Sequence, residues 1–216
     1  MIERSNASKL IYLPVNSFIQ NVASRAPVPG GGSVAALEGS VGAGLYVMVC
    51  RLSVSRVDDT HADYFRSLTK SGMELRDRLR DLVDADSQAY EEVIEAAKLP
   101  EETSEEVAKK AKVVAEANKK AAEAPLATAK ACLQGLEWGE ELAQKCFDGA
   151  ITDVGVAAQS LLTGFMGARL NVLVNLAGME DAEVKDEMRS FLDESRPKAH
   201  KLAEAVLEVV ERRLQS

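Results

Sequence analysis

An acidic residue stands where the apolar spacing of its segment asks for a hydrophobic one. Leu75, Leu79 and Leu82 lead into Asp86, and Ala89 and Val93 follow, spaced by threes and fours along one helical seam. A carboxylate at such a position must be paired, hydrogen-bonded, protonated or functional, because an unpaired buried charge is costly. Its structural reading is a salt bridge or a cap contact; its functional reading is a role in a site. Asp84, about 200° away around the same helix, is expected to face outward.

Pro27 to Ser33 reads PVPGGGS and raises a second possibility. The prolines fix their own φ and remove N–H donors, while Gly30, Gly31 and Gly32 open conformations that other residues avoid. Ser33 then reads as a helix N-cap, so that Gly30, Gly31, Gly32 and Ser33 would offer bare N–H groups and the positive end of a dipole to an anion or a carbonyl. The same glycines equally suit close packing of a helix end against a neighbour.

A third pattern is a narrow stripe of small and polar residues: Asp153, Ala157, Ser160, Gly164, Gly167, Asn171 and Asn175. It suits a ligand groove or a tight helix contact held by asparagine hydrogen bonds. Asp153 and Asn171 are about 27 Å apart along a helix, so they cannot both touch one small reacting centre in the same chain, though they could touch opposite ends of a long ligand or two sites in an oligomer. Asn118 interrupts an alanine seam and reads as a structural hydrogen bonder. Arg169, opposite the stripe, calls for an acidic partner; Arg51 suits a carboxylate or the negative end of its own helix.

Metal chemistry is not indicated. Cys50, Cys132 and Cys146 lack a chelating spacing, and His61 and His200 stand far apart in charged surroundings, so neither a metal nor a resident cofactor is expected. Unpaired thiols fit a reducing compartment. The N-terminal stretch MIERSNASKLIYL shows no secretory signal, and the cytoplasm is the default expectation.

Helices must position these groups, since the periodicity is helical throughout and no alternating strand is found. The 216 residues, 46% hydrophobic and 28% charged, suit one soluble domain over 1–216. The net charge of −8 and the lack of a basic block argue against nucleic acid as a partner. A first helix is predicted from about Pro14 to Arg25. A second begins near Ser33, carrying Val34, Leu37, Val41, Leu45, Met48 and Leu52 on one face and Ala36, Gly39, Ser40, Ala43 and Cys50 on the other. Being apolar all round it is expected to be buried, and a membrane span is disfavoured by Glu38 and by the charged helices around it.

A long helix is predicted from about Asp59 to Lys98. A Thr103–Glu106 capping box opens the next, with supporting pairs Glu105–Lys109, Glu106–Lys110 and Glu116–Lys120. Pro125 should kink or end that helix, which then runs on to about Lys145. Thr152 or Asp153 caps a second fully apolar helix to about Ala177. Asp181 starts a last amphipathic helix, interrupted at Pro197. The fold expected is all-α: a single-domain bundle of long antiparallel helices around two buried central ones.

Three segments in order, PVPGGGSVAALEGSVGAGLYVMVCRLS, LVDADSQAYEEVIEAAKLP and ITDVGVAAQSLLTGFMGARLNVLVNLAGMED, resemble the cyclodeaminase/cyclohydrolase family. That family includes the cyclodeaminase half of formiminotransferase-cyclodeaminase and stand-alone methenyltetrahydrofolate cyclohydrolases. The resemblance covers Phe18 to about Asp181. It implies an all-helical homodimer acting on one-carbon tetrahydrofolates, which are substrates rather than cofactors. One reaction closes 5-formimino-tetrahydrofolate with loss of ammonia; the other opens the methenyl form with water to give 10-formyl-tetrahydrofolate. On this resemblance Asp86 is the catalytic residue, Gly30 to Ser33 bind pterin or glutamate-tail atoms, and Asp153 and Asn175 are further substrate-binding positions. Without a fused formiminotransferase domain, cyclohydrolase leads cyclodeaminase. A helical folate-binding or scaffold protein without catalysis is the rival.

Overall fold

The computed structural model describes residues 9–56 and 59–215, so the first eight residues of the N-terminal stretch read above lie outside the described residues. Six α-helices follow one another: α1 (Val15–Val22), α2 (Gly31–Ser53), α3 (Asp59–Ala97), α4 (Ser104–Lys145), α5 (Ile151–Leu176) and α6 (Ala182–Leu214). Short 3-10 turns lie at Leu10–Tyr12 and Asp148–Ala150, and no strand occurs among the described residues. The all-α expectation holds.

The start signals behave differently at different helices. At α4 the capping box forms as predicted: Glu106 N–H donates to Thr103 Oγ1 at 3.2 Å and Thr103 N–H to Glu106 Oε2 at 2.9 Å. With Glu106 so engaged, Lys110 reaches Glu101 instead, at 2.7 Å. Asp181 caps α6 by accepting Val184 N–H at 3.2 Å. At α2 and α5 the expectation fails. Gly30, extended at φ −109° and ψ −164°, occupies the cap of α2, and Ser33 lies inside the helix. α5 starts at Ile151 after Ala150, with no side-chain cap from Thr152 or Asp153.

Neither internal proline ends its helix. α4 runs through Pro125 and α6 through Pro197 without interruption, each proline removing one N–H rather than the helix. The first helix is shorter than predicted and stops at Val22.

α2 and α5 lie antiparallel at the centre, and their backbones touch. A Cβ added to Gly42 would come within 2.8 Å of the Ala157 carbonyl, and one on Gly164 within 2.8 Å of the Ala35 carbonyl. Only glycine permits this approach. α3 covers α2 on one side, pairs antiparallel with α4, and leaves α4 to run beside α6 in parallel, through Lys119–Asp181 and Lys198–Glu137. The α2–α5 and α3–α4 pairs are antiparallel, as expected of long helices in a bundle. Tyr46, Phe65, Leu79, Leu136, Leu161, Phe165 and Leu192 fill one shared core drawn from α2 to α6.

Burial of α2 is the reverse of what side-chain size suggests. Its small face, Ala36, Gly39, Ser40, Ala43 and Cys50, is inside, whereas Val41 is 50% exposed and Met48 and Leu52 are each 37% exposed. The helix is long and apolar enough to cross a membrane by length and composition, yet most of it is packed within the bundle. Its role as a central helix holds; of its larger apolar stripe Val41, Met48 and Leu52 face out, while Val34, Leu37 and Leu45 pack against buried residues.

Candidate active site

The geometry converges on the N-terminal end of α2. α3 runs antiparallel to α2 and brings Asp86 level with the first helical turn, where the N–H groups of Gly31, Gly32 and Ser33 have no helical carbonyl to bond. A Cβ on Gly32 would overlap Asp86 Oδ1, so glycine is required for the carboxylate to reach the helix end. No glycine among the described residues has positive φ. The glycines therefore serve close approach rather than unusual dihedrals. The Val28–Pro29 peptide just upstream is cis.

Ser33 is fully buried, and its hydroxyl joins α2 to α3. Oγ lies 2.8 Å from the Val83 carbonyl and 3.2 Å from Asp86 Oδ2, so its one proton is donated to either acceptor, and Ser87 Oγ lies 2.9 Å away as a further partner. Burial pushes the Asp86 carboxyl above the usual carboxylate range; the Ser33 hydroxyl and backbone N–H favour the charged form and oppose that shift without cancelling it. Among the described residues, the half-buried Asp86 thus pairs with a helix end and a hydroxyl rather than with a cation.

α5 supplies the opposite wall. Asn171 donates Nδ2–H to the Gly167 carbonyl at 2.9 Å, and a Cβ on Gly31 would stand 3.2 Å from that same Nδ2. One turn further, Asn175 donates to the Ala121 carbonyl of α4 at 2.6 Å. Asn118 of α4 donates to the Gly178 carbonyl at 3.1 Å, the structural role expected of it. Tyr90, one turn beyond Asp86 on α3, is 45% exposed at the same end.

Of the residues singled out from sequence, Gly30, Gly31, Gly32, Ser33 and Asp86 come together, and Asn175 lies at the same end with its amide committed to Ala121. Asp153 does not join them. It sits in the first turn of α5, about 27 Å along that helix from Asn171, because α5 runs antiparallel to α2. Asp84 is not simply exposed: its carboxylate accepts Leu10 N–H at 2.7 Å and Ile11 N–H at 3.4 Å, tying the N-terminal segment to α3. Arg169 has its acid, Asp193 at 3.2 Å, and Arg51 reaches Met73 Sδ at 3.3 Å. Asn171 is the residue undervalued by sequence reasoning, although its spacing of four from Asn175 was the available signal.

Among the described residues, no three histidines, cysteines or acids gather in a way that could hold a metal ion. The acid-base potential of the site lies in Asp86, whose affinity for a proton is raised by burial.

Residues 14–194 match the formiminotransferase-cyclodeaminase family model. The methenyltetrahydrofolate cyclohydrolase of Methylorubrum extorquens is 35% identical over 198 residues, which cover 91% of this chain and 95% of that one. The pig formimidoyltransferase-cyclodeaminase is 34% identical over 202 residues, and the match spans 37% of its length. The crystal structure of a formiminotetrahydrofolate cyclodeaminase from Thermotoga maritima shares the fold, with a TM-score of 0.75 at 24% identity, over 96% of this chain and 98% of that one.

Proposed function

The chain belongs to the formiminotransferase-cyclodeaminase family, and from that premise we propose that it is an enzyme of folate one-carbon metabolism, a methenyltetrahydrofolate cyclohydrolase with Asp86 as its catalytic base. The match to the Methylorubrum cyclohydrolase, 35% identical along nearly its full length, supports this reaction. One observation carries the site: a half-buried carboxylate with a raised proton affinity, held against the end of α2 by glycines that leave it room.

The chemistry follows from that placement. Water adds to the methenyl carbon of the cationic substrate, and Asp86 takes the proton that the water loses. Asp86 then gives that proton to N5 as the bond from carbon to N5 breaks, while the hydroxyl proton passes to solvent water and the 10-formyl carbonyl forms, so that one proton is released per turnover. Proton transfer by one positioned carboxylate contributes about 10²- to 10⁴-fold to a rate. Negative charge beside a delocalised cation adds electrostatic stabilisation.

A homodimer is part of the same reading, supported by the outward apolar stripe of Val41, Met48 and Leu52 on α2, which water would otherwise cover. The three thiols, all buried and unpaired, suit the reducing cytoplasm.

The test is direct. Purified protein should accelerate loss of the near-ultraviolet absorbance of methenyltetrahydrofolate, and should do so more than it releases ammonia from 5-formimino-tetrahydrofolate. The opposite preference makes it a cyclodeaminase. Tight folate binding without either turnover makes it a binding protein, and no binding at all ends the folate reading. Sedimentation at micromolar concentration should give twice the 23.3 kDa chain mass.

A further inference from the structure

The open end of α2 is flanked by acceptors, and this bears on which end of a folate it receives. Asp86 Oδ1 stands against Gly32 on the α3 side. On the α5 side Asn171 has its Nδ2 beside Gly31 and committed to the Gly167 carbonyl. That commitment fixes the side-chain amide and leaves Oδ1 as an acceptor to which no described residue donates. The positive end of the α2 dipole, the feature that would attract a carboxylate, is already occupied by the carboxylate of Asp86.

A folate presents different chemistry at its two ends. The glutamate tail ends in carboxylates, which only accept hydrogen bonds and would meet Asp86 as like charge. The reduced pterin carries ring N–H groups and an exocyclic amine, which donate. We infer that the glycine turn receives the pterin ring rather than the tail, and that Asn171 Oδ1 accepts a hydrogen bond from a pterin N–H. This inference rests on the folate reading above. It also agrees with the role of Asp86, since the one-carbon unit is carried at the edge of the reduced ring. Asn171 acts as a binding and orienting residue, not as an acid or base.

Two substitutions separate a ligand contact from a structural tie. In Asn171→Ser the hydroxyl still donates to the carbonyl four residues back but is too short to meet a ring. In Asn171→Asp an acceptor oxygen is kept and the donor that ties the side chain to Gly167 is lost. The probe is 5-formyltetrahydrofolate, unreactive and without the methenyl cation, in monoglutamate and triglutamate forms. Binding is read by calorimetry, with KM and kcat for methenyltetrahydrofolate alongside and folding checked by thermal melting.

N171S should weaken binding about tenfold, the loss of one ordinary hydrogen bond, by the same factor for both tail lengths and with kcat within about threefold. N171D, which keeps an acceptor, should bind at least about threefold more tightly than N171S on the same scale. The reverse pattern, or wild-type binding by N171S, overturns the inference and leaves Asn171 a tie to Gly167. A loss confined to the triglutamate overturns it by placing the tail there. A wild-type chain that binds no 5-formyltetrahydrofolate overturns the folate reading itself, whereas normal wild-type binding with unaffected variants overturns only the role of Asn171.

Discussion

Asn175 of α5 donates its side-chain amide, at 2.6 Å, to the carbonyl of Ala121, the one carbonyl of α4 that Pro125 leaves without its helical N–H. The helix continues through a proline because a neighbouring helix supplies the missing donor. Asn175→Ala should therefore cost about 1–2 kcal/mol in urea unfolding, the usual consequence of a buried carbonyl left unpaired. In a Pro125→Ala background, where the backbone N–H returns, the same substitution should cost much less. Additive effects would show that the two residues are not coupled.

Gly32 and Gly44 lie on the same helix and should respond in opposite directions. A methyl at Gly32 collides with Asp86, so Gly32→Ala should displace the carboxylate and lower both stability and turnover. A methyl at Gly44 meets nothing within 4 Å in its own chain, so Gly44→Ala should stabilise the fold by about 0.5–1 kcal/mol through helix propensity. Because Gly44 shares the face of Val41 and Met48, its sedimentation is measured beside the melt. Thermal melts of the two variants beside wild type decide the point.

The raised proton affinity of Asp86 makes two predictions of linked sign. As a base it must be ionised, so kcat/KM should fall as pH drops through the raised pKa, on a limb lying above the ordinary carboxylate value; Asp86→Asn should abolish turnover and the limb with it. For stability the folded state binds the proton more tightly than the unfolded state. Its contribution therefore declines as pH rises from the unfolded pKa through the folded one. Asp86→Asn, lacking that ionisation, should be more stable than wild type at neutral pH and should lose the advantage in acid. Denaturant titrations across pH measure it, and a variant less stable than wild type at neutral pH contradicts the assignment.

Tyr46 is completely buried, and its hydroxyl has no hydrogen-bond partner among the described residues. Burial also pushes its ionisation well above the usual tyrosine range. Tyr46→Phe keeps the ring and removes the unpaired group, so it should raise unfolding stability by about 1 kcal/mol. A loss of stability would mean that the hydroxyl has a partner, such as water, in solution.

Helix number, order and type were legible in the sequence because each helix carries its own periodicity and several carry local start signals, as at Thr103 and Asp181. Asp86 was legible because one charge on an otherwise apolar seam violates a local pattern. What escaped depends on partners distant in sequence. Ser33 looks like an N-cap until Val83 and Ser87 are brought to it from α3. The prolines look like helix ends until Asn175 replaces the donor lost at Pro125. The faces of α2 were misjudged in depth because size alone cannot tell that glycine-mediated contact with α5 draws the small side inward and leaves Val41 and Met48 out.

That glycine contact also limits how the protein can be improved. Filling space is the ordinary route to a sturdier core, but between α2 and α5 there is no space to fill: a methyl at Gly42 or Gly164 would meet backbone, which cannot rotate away as a side chain can. Directed evolution for heat resistance should therefore leave this seam untouched while gains accumulate elsewhere. A library randomised at Gly39, Gly42 and Gly164 should return glycine.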